Sequence, residues 1–267
     1  MVKKILVTGG AGFIGANLCA YLLKKGHQII CVDNFMSGRK ANIAKYLNNE
    51  NFKLIEQDII FPLDVAVDEI YNLACPASPC FYQKDPINTL KISLFGAINM
   101  LELARKNKIK IVQASTSEVY GQPEKHPQTE VYCGNVDTKN VRACYSEGKR
   151  CAETIFFDYN RKYNIDISVV RIFNTYGPMM RIDDGRAIPN FINQALTDQD
   201  ITVYGKGEQT RSFQYIDDLI EAMVKIMEKK NFYGPVNIGN PQEISVNDLA
   251  QKILALIPDS KSKIVTK

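Results

Sequence analysis

The chain has 267 residues, of which 45% are hydrophobic and 23% charged, a balance typical of a folded globular protein rather than a disordered one. No apolar run reaches the roughly 18 residues that a membrane span needs, and the apolar stretch after Met1 is too short for a signal peptide, so we expect a cytoplasmic protein without membrane contacts. The net charge of +4 comes from Lys and Arg scattered along the chain, which predicts no nucleic-acid partner.

Cysteine and histidine usage argues against metal binding and against a disulfide framework. The seven cysteines include no C-x-x-C pair, and the only two histidines, His27 and His126, lie far apart in the sequence. We expect reduced, partly buried thiols and no metal site.

Strand-like and helix-like segments alternate through the first two thirds of the chain. Strands are predicted at 5–7, 28–32, 52–56, 69–74, 110–115 and 167–172, and helices at 16–25, 86–107 and 144–163. This alternation predicts an α/β protein with a doubly wound parallel sheet, the Rossmann fold.

The regular alternation ends after Asn174, where Gly- and Pro-containing turns separate shorter elements. We therefore expect a Rossmann domain at 1–173, with a returning segment at about 212–235, and a smaller C-terminal substrate-binding lobe at 174–211 and 236–267.

A glycine-rich turn follows the first predicted strand. Gly9, Gly12 and Gly15 are spaced three residues apart, which lets a pyrophosphate approach the backbone at a helix N-terminus. Asp33 ends the second strand, 18 positions after Gly15, where it can accept both ribose hydroxyls and repel a 2′-phosphate. The pattern predicts NAD rather than NADP; the alternative is a tight turn with a loop-capping aspartate.

Other cofactor contacts are expected beside these residues, at the carboxyl ends of the predicted strands. They are Phe13, Ile14, Asn34, Asp58, Ile59, Leu73 and Ala74. For Asp58 a plain turn role is an almost equally good interpretation.

Tyr145 and Lys149 stand four residues apart in a predicted helix and so emerge on one face. A nearby ammonium lowers the pKa of a phenol, which predicts a tyrosine base. The strand ending at Ser115 is followed by Thr116, Ser117 and Glu118, which places hydroxyls and a carboxylate at the same sheet edge. In isolation the Tyr/Lys pair could be an ordinary surface pair.

Five strings carry a resemblance to a known family. They are NLACPASP at 72–79, STSEVYG at 115–121, RACYSEGKR at 142–150, RIFNTYGP at 171–178 and RSFQY at 211–215. With the glycine turn, they resemble the UDP-glucuronate decarboxylase (UDP-xylose synthase) family of extended short-chain dehydrogenases/reductases, over nearly the whole chain.

The resemblance implies NAD-dependent decarboxylation of UDP-glucuronate to UDP-xylose through a 4-keto intermediate. Tyr145 would take the C4′ hydroxyl proton with Lys149 beside it, and Thr116 would hold the C4′ oxygen. Ser117 and Glu118 would lie beside C5′ and the carboxylate.

The resemblance also implies a set of substrate contacts. They are Pro76 and Tyr82, on a loop over the sugar, with Asn174, Arg181, Arg186, Asn190, Tyr204, Gln209 and Arg211. Ser146 and Pro189 depart from the family strings, where aspartate and serine are usual. Family members generally continue beyond the position of Lys267, so the lobe is expected to be shortened at its C-terminal end.

Three other functions remain open. A nucleotide-sugar 4,6-dehydratase usually has an aspartate where Ser117 stands, and Glu118 argues against an epimerase. A catalytically silent NAD-binding sensor would not need Tyr145 and Lys149.

The segments 88–105 and 144–163 resemble helices that pair in superfamily dimers, which favours a homodimer, although a helix apolar on two faces can simply be buried.

Overall fold

Strands and helices alternate in the N-terminal part of the computed structural model, which describes residues 1–267. The strands are β1 (Lys4–Thr8), β2 (Gln28–Asp33), β3 (Phe52–Glu56), β4 (Glu69–Asn72), β5 (Lys110–Thr116) and β6 (Ile167–Ile172). The helices are α1 (Phe13–Lys24), α2 (Lys40–Ile43), α3 (Pro79–Tyr82), α4 (Pro86–Asn107) and α5 (Ala143–Tyr163), with 3-10 turns at Ala44–Tyr46 and Ser117–Tyr120.

Shorter elements make up the C-terminal part. They are β7 (Thr175–Tyr176), α6 (Ala187–Leu196), β8 (Ile201–Val203), β9 (Thr210–Ser212), β10 (Gln214–Tyr215), α7 (Ile216–Glu228), β11 (Val236–Ile238), β12 (Glu243–Ser245), α8 (Val246–Ala255) and β13 (Ile264–Thr266). None of the helices combines the length and the apolar character that a membrane crossing requires.

The main sheet has seven parallel strands in the order β11-β6-β5-β4-β1-β2-β3. The chain moves outward from β1 in one direction through β2 and β3, and then in the other through β4, β5 and β6. This confirms the predicted doubly wound α/β fold. The point between β1 and β4 where the direction reverses is where such sheets bind ligands.

Both faces of the sheet are covered, which explains its continuous apolar strands. Ile5 and Val7 face the side covered by α1 and α7, while Leu6 faces the side covered by α4 and α5. Asp85 caps α4 by accepting a hydrogen bond from the amide of Asn88 at 3.0 Å, and Lys108 ends the helix in the left-handed conformation. The bounds of α4 match the prediction, whereas α1 begins at Phe13, directly after the glycine turn.

The lobe has its own small core, formed by α6, α8, the parallel pair β8–β13 and the antiparallel pair β9–β12. The predicted boundary at residue 236 is wrong for β11, since Val236–Ile238 pairs in parallel with β6 and belongs to the main sheet. Adjacent glycines and prolines make this strand look like a loop in the sequence. Its pairing depends on α7, which returns the chain to the sheet edge.

A buried ion pair joins α5 to β6. Arg171 donates from Nη2 to Glu153 Oε2 at 2.7 Å and from Nε to Oε1 at 3.0 Å, and both side chains are nearly inaccessible. Ser115 at the end of β5 also donates to Glu153, and Arg171 donates to the hydroxyl of Tyr120 at 3.0 Å. The pair therefore holds both ends of the segment that contains Thr116 and Glu118.

Replacing Glu153 with glutamine is expected to lower the free energy of unfolding by about 3 kcal/mol, because Arg171 is left buried without a counter-charge. Urea denaturation measures the change. Glu147→Gln is the matched control on the same helix: Glu147 and Arg150 are 3.6 Å apart and about one third exposed, so its loss should stay below about 1 kcal/mol. Equal losses in the two variants would contradict the structural role of the buried pair.

Candidate active site

One cavity of about 470 Å³ extends from the glycine turn, past the carboxyl ends of the central strands, to the lobe. Most of the residues predicted from the sequence line it. They are Gly9, Gly12, Phe13, Ile14, Gly15, Asp33, Asn34, Asp58, Ile59, Leu73, Ala74, Pro76, Tyr82, Thr116, Ser117, Glu118, Tyr145, Lys149, Asn174, Arg181, Arg186 and Arg211.

Three predicted substrate residues lie outside this lining. Asn190 is on α6, Tyr204 is 72% exposed, and the side chain of Gln209 donates to the carbonyl of Tyr204 at 3.2 Å. The structure thus does not include these three among the residues that line the cavity, although Asn190 directly follows the lining residue Pro189.

The glycine turn brings three backbone segments into close contact. A Cβ at Gly15 would stand 2.1 Å from the carbonyl oxygen of Gly9, and a Cβ at Gly9 would stand 2.9 Å from Ala74 Cα. Gly9 also has a φ of +65°. Only glycine therefore permits α1 to begin so close to β1 and β4, and the exposed amides of its first turn can receive an anionic group.

Asp33 is buried at the end of β2, on the wall of the cavity. Its carboxylate accepts from the amides of Ala11 at 3.0 Å and Phe35 at 2.8 Å. Burial raises the pKa of this carboxyl, and the amide hydrogen bonds act in the opposite direction. Because a carboxylate has further lone pairs, Asp33 can still accept hydroxyl groups from a ligand.

A buried polar chain fixes the strand ends beneath the cavity. The amides of Leu73 and Ala74 donate to the Thr8 hydroxyl at 3.0 and 3.1 Å, and Thr8 donates to Asn72 at 2.7 Å. Asn72 donates onward to Gln113, also at 2.7 Å. This series of hydrogen bonds links β1, β4 and β5, so it fixes the position of the cofactor side of the cavity relative to the tyrosine side.

Tyr145 and Lys149 occupy the cavity wall from α5, and both are buried. The ring of Tyr145 stacks on that of Tyr82, with centroids 5.1 Å apart and planes 3° from parallel. The Lys149 ammonium donates to the carbonyl of Ala114 at 2.8 Å. The pair is therefore anchored on one side to an aromatic ring and on the other to β5.

The pKa of Tyr145 is raised, which is opposite to the direction predicted from the sequence. Burial is the main cause, and Cys75 and Glu118 act in the same direction. The Thr116 hydroxyl and Arg186 lower the pKa, but they do not outweigh burial. The phenol is therefore protonated in the ligand-free protein, and an added positive charge near it would favour the phenolate.

Thr116 and Glu118 flank the start of a 3-10 turn that follows β5. The Thr116 hydroxyl accepts from the amide of Glu118 at 3.2 Å, which caps the turn. Glu118 Oε2 lies 3.8 Å from Nη1 of Arg142. The turn thus presents a hydroxyl and a carboxylate to the same part of the cavity as the Tyr145 phenol.

Two loops close the cavity on the lobe side. Arg186 forms a two-pronged ion pair with Asp184, and Arg181 forms another with Asp183 at 2.6 and 2.8 Å. The Ser78 hydroxyl donates to the carbonyl of Asp184 at 2.6 Å. The predicted sugar loop at 76–82 is therefore tied to the arginine-bearing loop before α6.

Cys75, Arg142 and Asp184 are among the residues lining this part of the cavity that sequence reasoning missed. Arg142 belongs to the string at 142–150 but precedes both α5 and the predicted helix at 144–163, so helical spacing gave no signal for its position. The pairing of Asp184 with Arg186 depends on the loop conformation and likewise had no signal.

A glycine cradle with a buried aspartate at one end, and a Tyr/Lys pair with hydroxyls and a carboxylate at the other, define a Rossmann-type protein of the extended short-chain dehydrogenase/reductase class. The chain belongs to the NAD dependent epimerase/dehydratase family, whose profile matches residues 5–239. The predicted family resemblance is thereby confirmed.

Curated relatives and solved structures agree with this membership. The chain is 49% identical to UDP-glucuronic acid decarboxylase 4 of Arabidopsis thaliana, over 98% of this chain and 59% of the relative. It is 50% identical to UDP-glucuronic acid decarboxylase 1 of Xenopus tropicalis, over 96% of this chain and 60% of the relative. The chain thus spans about three fifths of the length of these two relatives.

A solved structure of UDP-glucuronic acid 4-epimerase from Bacillus cereus, in complex with UDP-glucuronic acid and NAD, is 31% identical to the chain. The TM-score is 0.85, and the match covers 98% of this chain and 85% of the epimerase chain.

Proposed function

We propose that the protein converts UDP-glucuronate to UDP-xylose by NAD-dependent decarboxylation through a 4-keto intermediate. One observation carries this proposal: a single cavity contains the glycine cradle with Asp33 and the cluster of Tyr145, Thr116 and Glu118. The identity of 49% to a UDP-glucuronic acid decarboxylase along 98% of the chain supports the choice of substrate.

The residues at the glycine turn fit NAD. The space in front of Gly12 and the first turn of α1 suits the pyrophosphate, and Asp33 suits the adenosine ribose hydroxyls. Asn34, Asp58 and Ile59 border the expected adenine side. NAD⁺ bound here supplies a hydride acceptor and a positive charge near the Tyr145 phenol.

Tyr145 is the proposed base for the C4′ hydroxyl. Oxidation at C4′ transfers the hydroxyl proton to the Tyr145 phenolate, and Thr116 holds the C4′ oxygen by a hydrogen bond. Lys149, bound to the carbonyl of Ala114, keeps a positive charge one helical turn away. At the end of the cycle Tyr145 returns the proton to the same oxygen.

Decarboxylation follows from the ketone at C4′. The acid is then a β-keto acid. As CO₂ leaves, the electrons of the bond between C5′ and the carboxylate carbon can move into the C4′ carbonyl. A proton must then be delivered to C5′, and Ser117 with Glu118 is the proposed source. Asn174, Arg181, Arg186 and Arg211 line the remainder of the cavity, where the diphosphate and nucleoside would lie.

Incubating the NAD-loaded protein with UDP-glucuronate tests the proposal. We expect CO₂ and UDP-xylose with no net NADH. A stable 4-keto sugar, a C4′ epimer that keeps its carboxylate, or bound NAD without turnover would each contradict it. These results would favour, respectively, a dehydratase-like oxidation, an epimerase or an NAD-binding sensor.

Asp33→Asn is expected to weaken NAD binding by roughly tenfold or more, because a charge-assisted acceptor for the ribose hydroxyls is lost. The same change should also reduce the preference for NAD over NADP, since the carboxylate that repels a 2′-phosphate is gone. Asp64→Asn is the control, because Asp64 is exposed, pairs with Lys106 and lies outside the cavity. Calorimetric titration measures the affinity of each variant for NAD and for NADP. Equal weakening of NAD binding in the two variants would contradict the role of Asp33.

We also propose that the protein is a homodimer formed through α4 and α5. Both helices cover the same face of the sheet, and α4 exposes Ile87, Leu90 and Phe95 to solvent. Val141, just before α5, is exposed beside them. A second copy would cover these apolar side chains.

Phe95→Glu tests the dimer, because a charge in an apolar interface must be buried without a partner. We expect the variant to be monomeric by light scattering while keeping the helical content of the parent protein. Leu256→Glu, an exposed apolar position at the end of α8 in the lobe, is the control and should leave the mass unchanged. A parent protein that is monomeric at micromolar concentration would refute the proposal.

A reducing compartment such as the cytoplasm is the proposed location. All seven cysteines are free, including the buried Cys19 and Cys31. Titration of thiols in freshly isolated, denatured protein should find all seven reduced, and a native disulfide would argue against this location.

A further inference from the structure

Arg142 is fixed beside Tyr145 by both backbone and side chain. It is the residue before α5, and its carbonyl accepts from the amide of Tyr145 at 3.0 Å. Its Nε donates to the hydroxyl of Tyr82 at 3.1 Å, and the Tyr82 ring stacks on Tyr145. The guanidinium therefore stands at the tyrosine end of the cavity in a defined position.

Of the three other arginines that line the cavity, two are already paired with carboxylates, and Arg211 donates to the carbonyl of Thr210 at 2.7 Å. Arg181 and Arg186 each present two N–H groups to an aspartate, so their charges are compensated within the protein. The carboxylate near Arg142 belongs to Glu118, and the 3.8 Å between Nη1 and Oε2 is too long for a hydrogen bond. Since a guanidinium carries five N–H donors, Arg142 keeps most of its donors for a ligand.

The proposed substrate creates an electrostatic problem at this place. Its C5′ carboxylate must lie close to Glu118, and two carboxylates in a partly enclosed cavity repel each other. A cation adjacent to both would remove the repulsion, and the planar fork of an arginine matches a carboxylate in two-pronged geometry.

From this arrangement, and resting on the proposed function, we infer that Arg142 recognises the substrate carboxylate and so selects UDP-glucuronate over neutral UDP-hexoses. The side chain is 52% exposed, so water weakens its hold on the carboxylate. A moderate hold suits recognition, because strong ground-state stabilisation of the carboxylate would oppose loss of CO₂. After CO₂ leaves, the pentose product has no group for Arg142, which favours product release.

Binding measurements in a Tyr145→Phe background test the inference, because this change stops turnover and keeps the ring that stacks on Tyr82. NAD-loaded protein is titrated with UDP-glucuronate and UDP-glucose, which differ only in a carboxylate against a hydroxymethyl group. Adding Arg142→Gln should weaken UDP-glucuronate binding by roughly tenfold or more and change UDP-glucose binding by less than about twofold. The affinity of Arg142→Lys for UDP-glucuronate should lie between those of the parent and of Arg142→Gln. Arg161→Gln, at an exposed position near the end of α5, should change neither affinity.

Equal weakening for both ligands would overturn the inference, since Arg142 would then only hold Tyr82 and the local structure. Unchanged binding of UDP-glucuronate, or no preference for it before Arg142 is replaced, would overturn it as well. Failure of the proposed reaction is distinguishable. If the protein with Tyr145 intact makes no UDP-xylose, yet Arg142→Gln removes the preference for UDP-glucuronate, the reaction is wrong and the recognition stands.

Discussion

Tyr145→Phe is expected to lower the turnover of UDP-glucuronate by roughly 10²- to 10⁴-fold, the range that a well-placed general base contributes. Phenylalanine keeps the ring that stacks on Tyr82 at 5.1 Å, so the cavity should keep its shape. Affinities for NAD and for the UDP-sugar should therefore stay close to those of the parent protein. Release of UDP-xylose measures turnover, and calorimetry measures both affinities.

Tyr159→Phe is the matched control for this prediction. Tyr159 lies on the same helix, but its hydroxyl donates to Glu102 at 2.8 Å, outside the cavity. Turnover of this variant should equal that of the parent. Retention of turnover in Tyr145→Phe would assign the base to another group, and equal losses in both variants would point to damage of α5.

The pH dependence of turnover follows from the state of Tyr145. Burial raises the pKa of the phenol in the ligand-free protein, and the proposed reaction requires the phenolate. Turnover should therefore fall as the pH drops through the pKa that applies in the loaded complex. Arg186 already lowers this pKa in the ligand-free protein, and the positive charge of NAD⁺ lowers it further, so the fall should begin at lower pH than the ligand-free protein alone would indicate.

The local parts of the fold were predictable because local chemistry determines them. The glycine spacing at residues 9–15 and the aspartate cap with proline at the start of α4 act within a few residues. Apolar runs identified the buried strands for the same reason. These signals were enough to place the glycine turn, Asp33 and Thr116 at the carboxyl ends of strands, because parallel topology brings those ends together.

The parts that were not predictable depend on distant contacts or on burial. The hydrogen bond from Ser78 to Asp184 joins residues 106 positions apart, and β11 becomes a sheet strand only by pairing with β6. The pKa of Tyr145 depends on how deeply the phenol is buried, which spacing does not reveal. The orientation of Arg142 likewise depends on Tyr82, which arrives on a different loop.

Glu118→Gln is expected to separate decarboxylation from the final reduction. Loss of CO₂ leaves an enolate. C5′ must receive a proton to restore the C4′ ketone before that ketone can be reduced to give UDP-xylose. Two carboxylates line the tyrosine and lobe side of the cavity, Glu118 and Asp184, and Asp184 is held in its ion pair with Arg186. Glu118, whose side chain is 42% exposed, is thus the group that can take a proton from water and pass it to C5′.

Glutamine keeps the size of Glu118 but cannot deliver a proton, so formation of UDP-xylose should fall by roughly 10²-fold while CO₂ is still released. The decarboxylated enolate and NADH should accumulate, and the near-ultraviolet absorbance of NADH measures this directly. Glu124→Gln, a few residues further along the same loop and outside the cavity, is the control. If oxidation itself stops in Glu118→Gln, the carboxylate acts before CO₂ leaves. If turnover is unchanged, protonation of C5′ does not depend on Glu118, and solvent in the partly open cavity is its source.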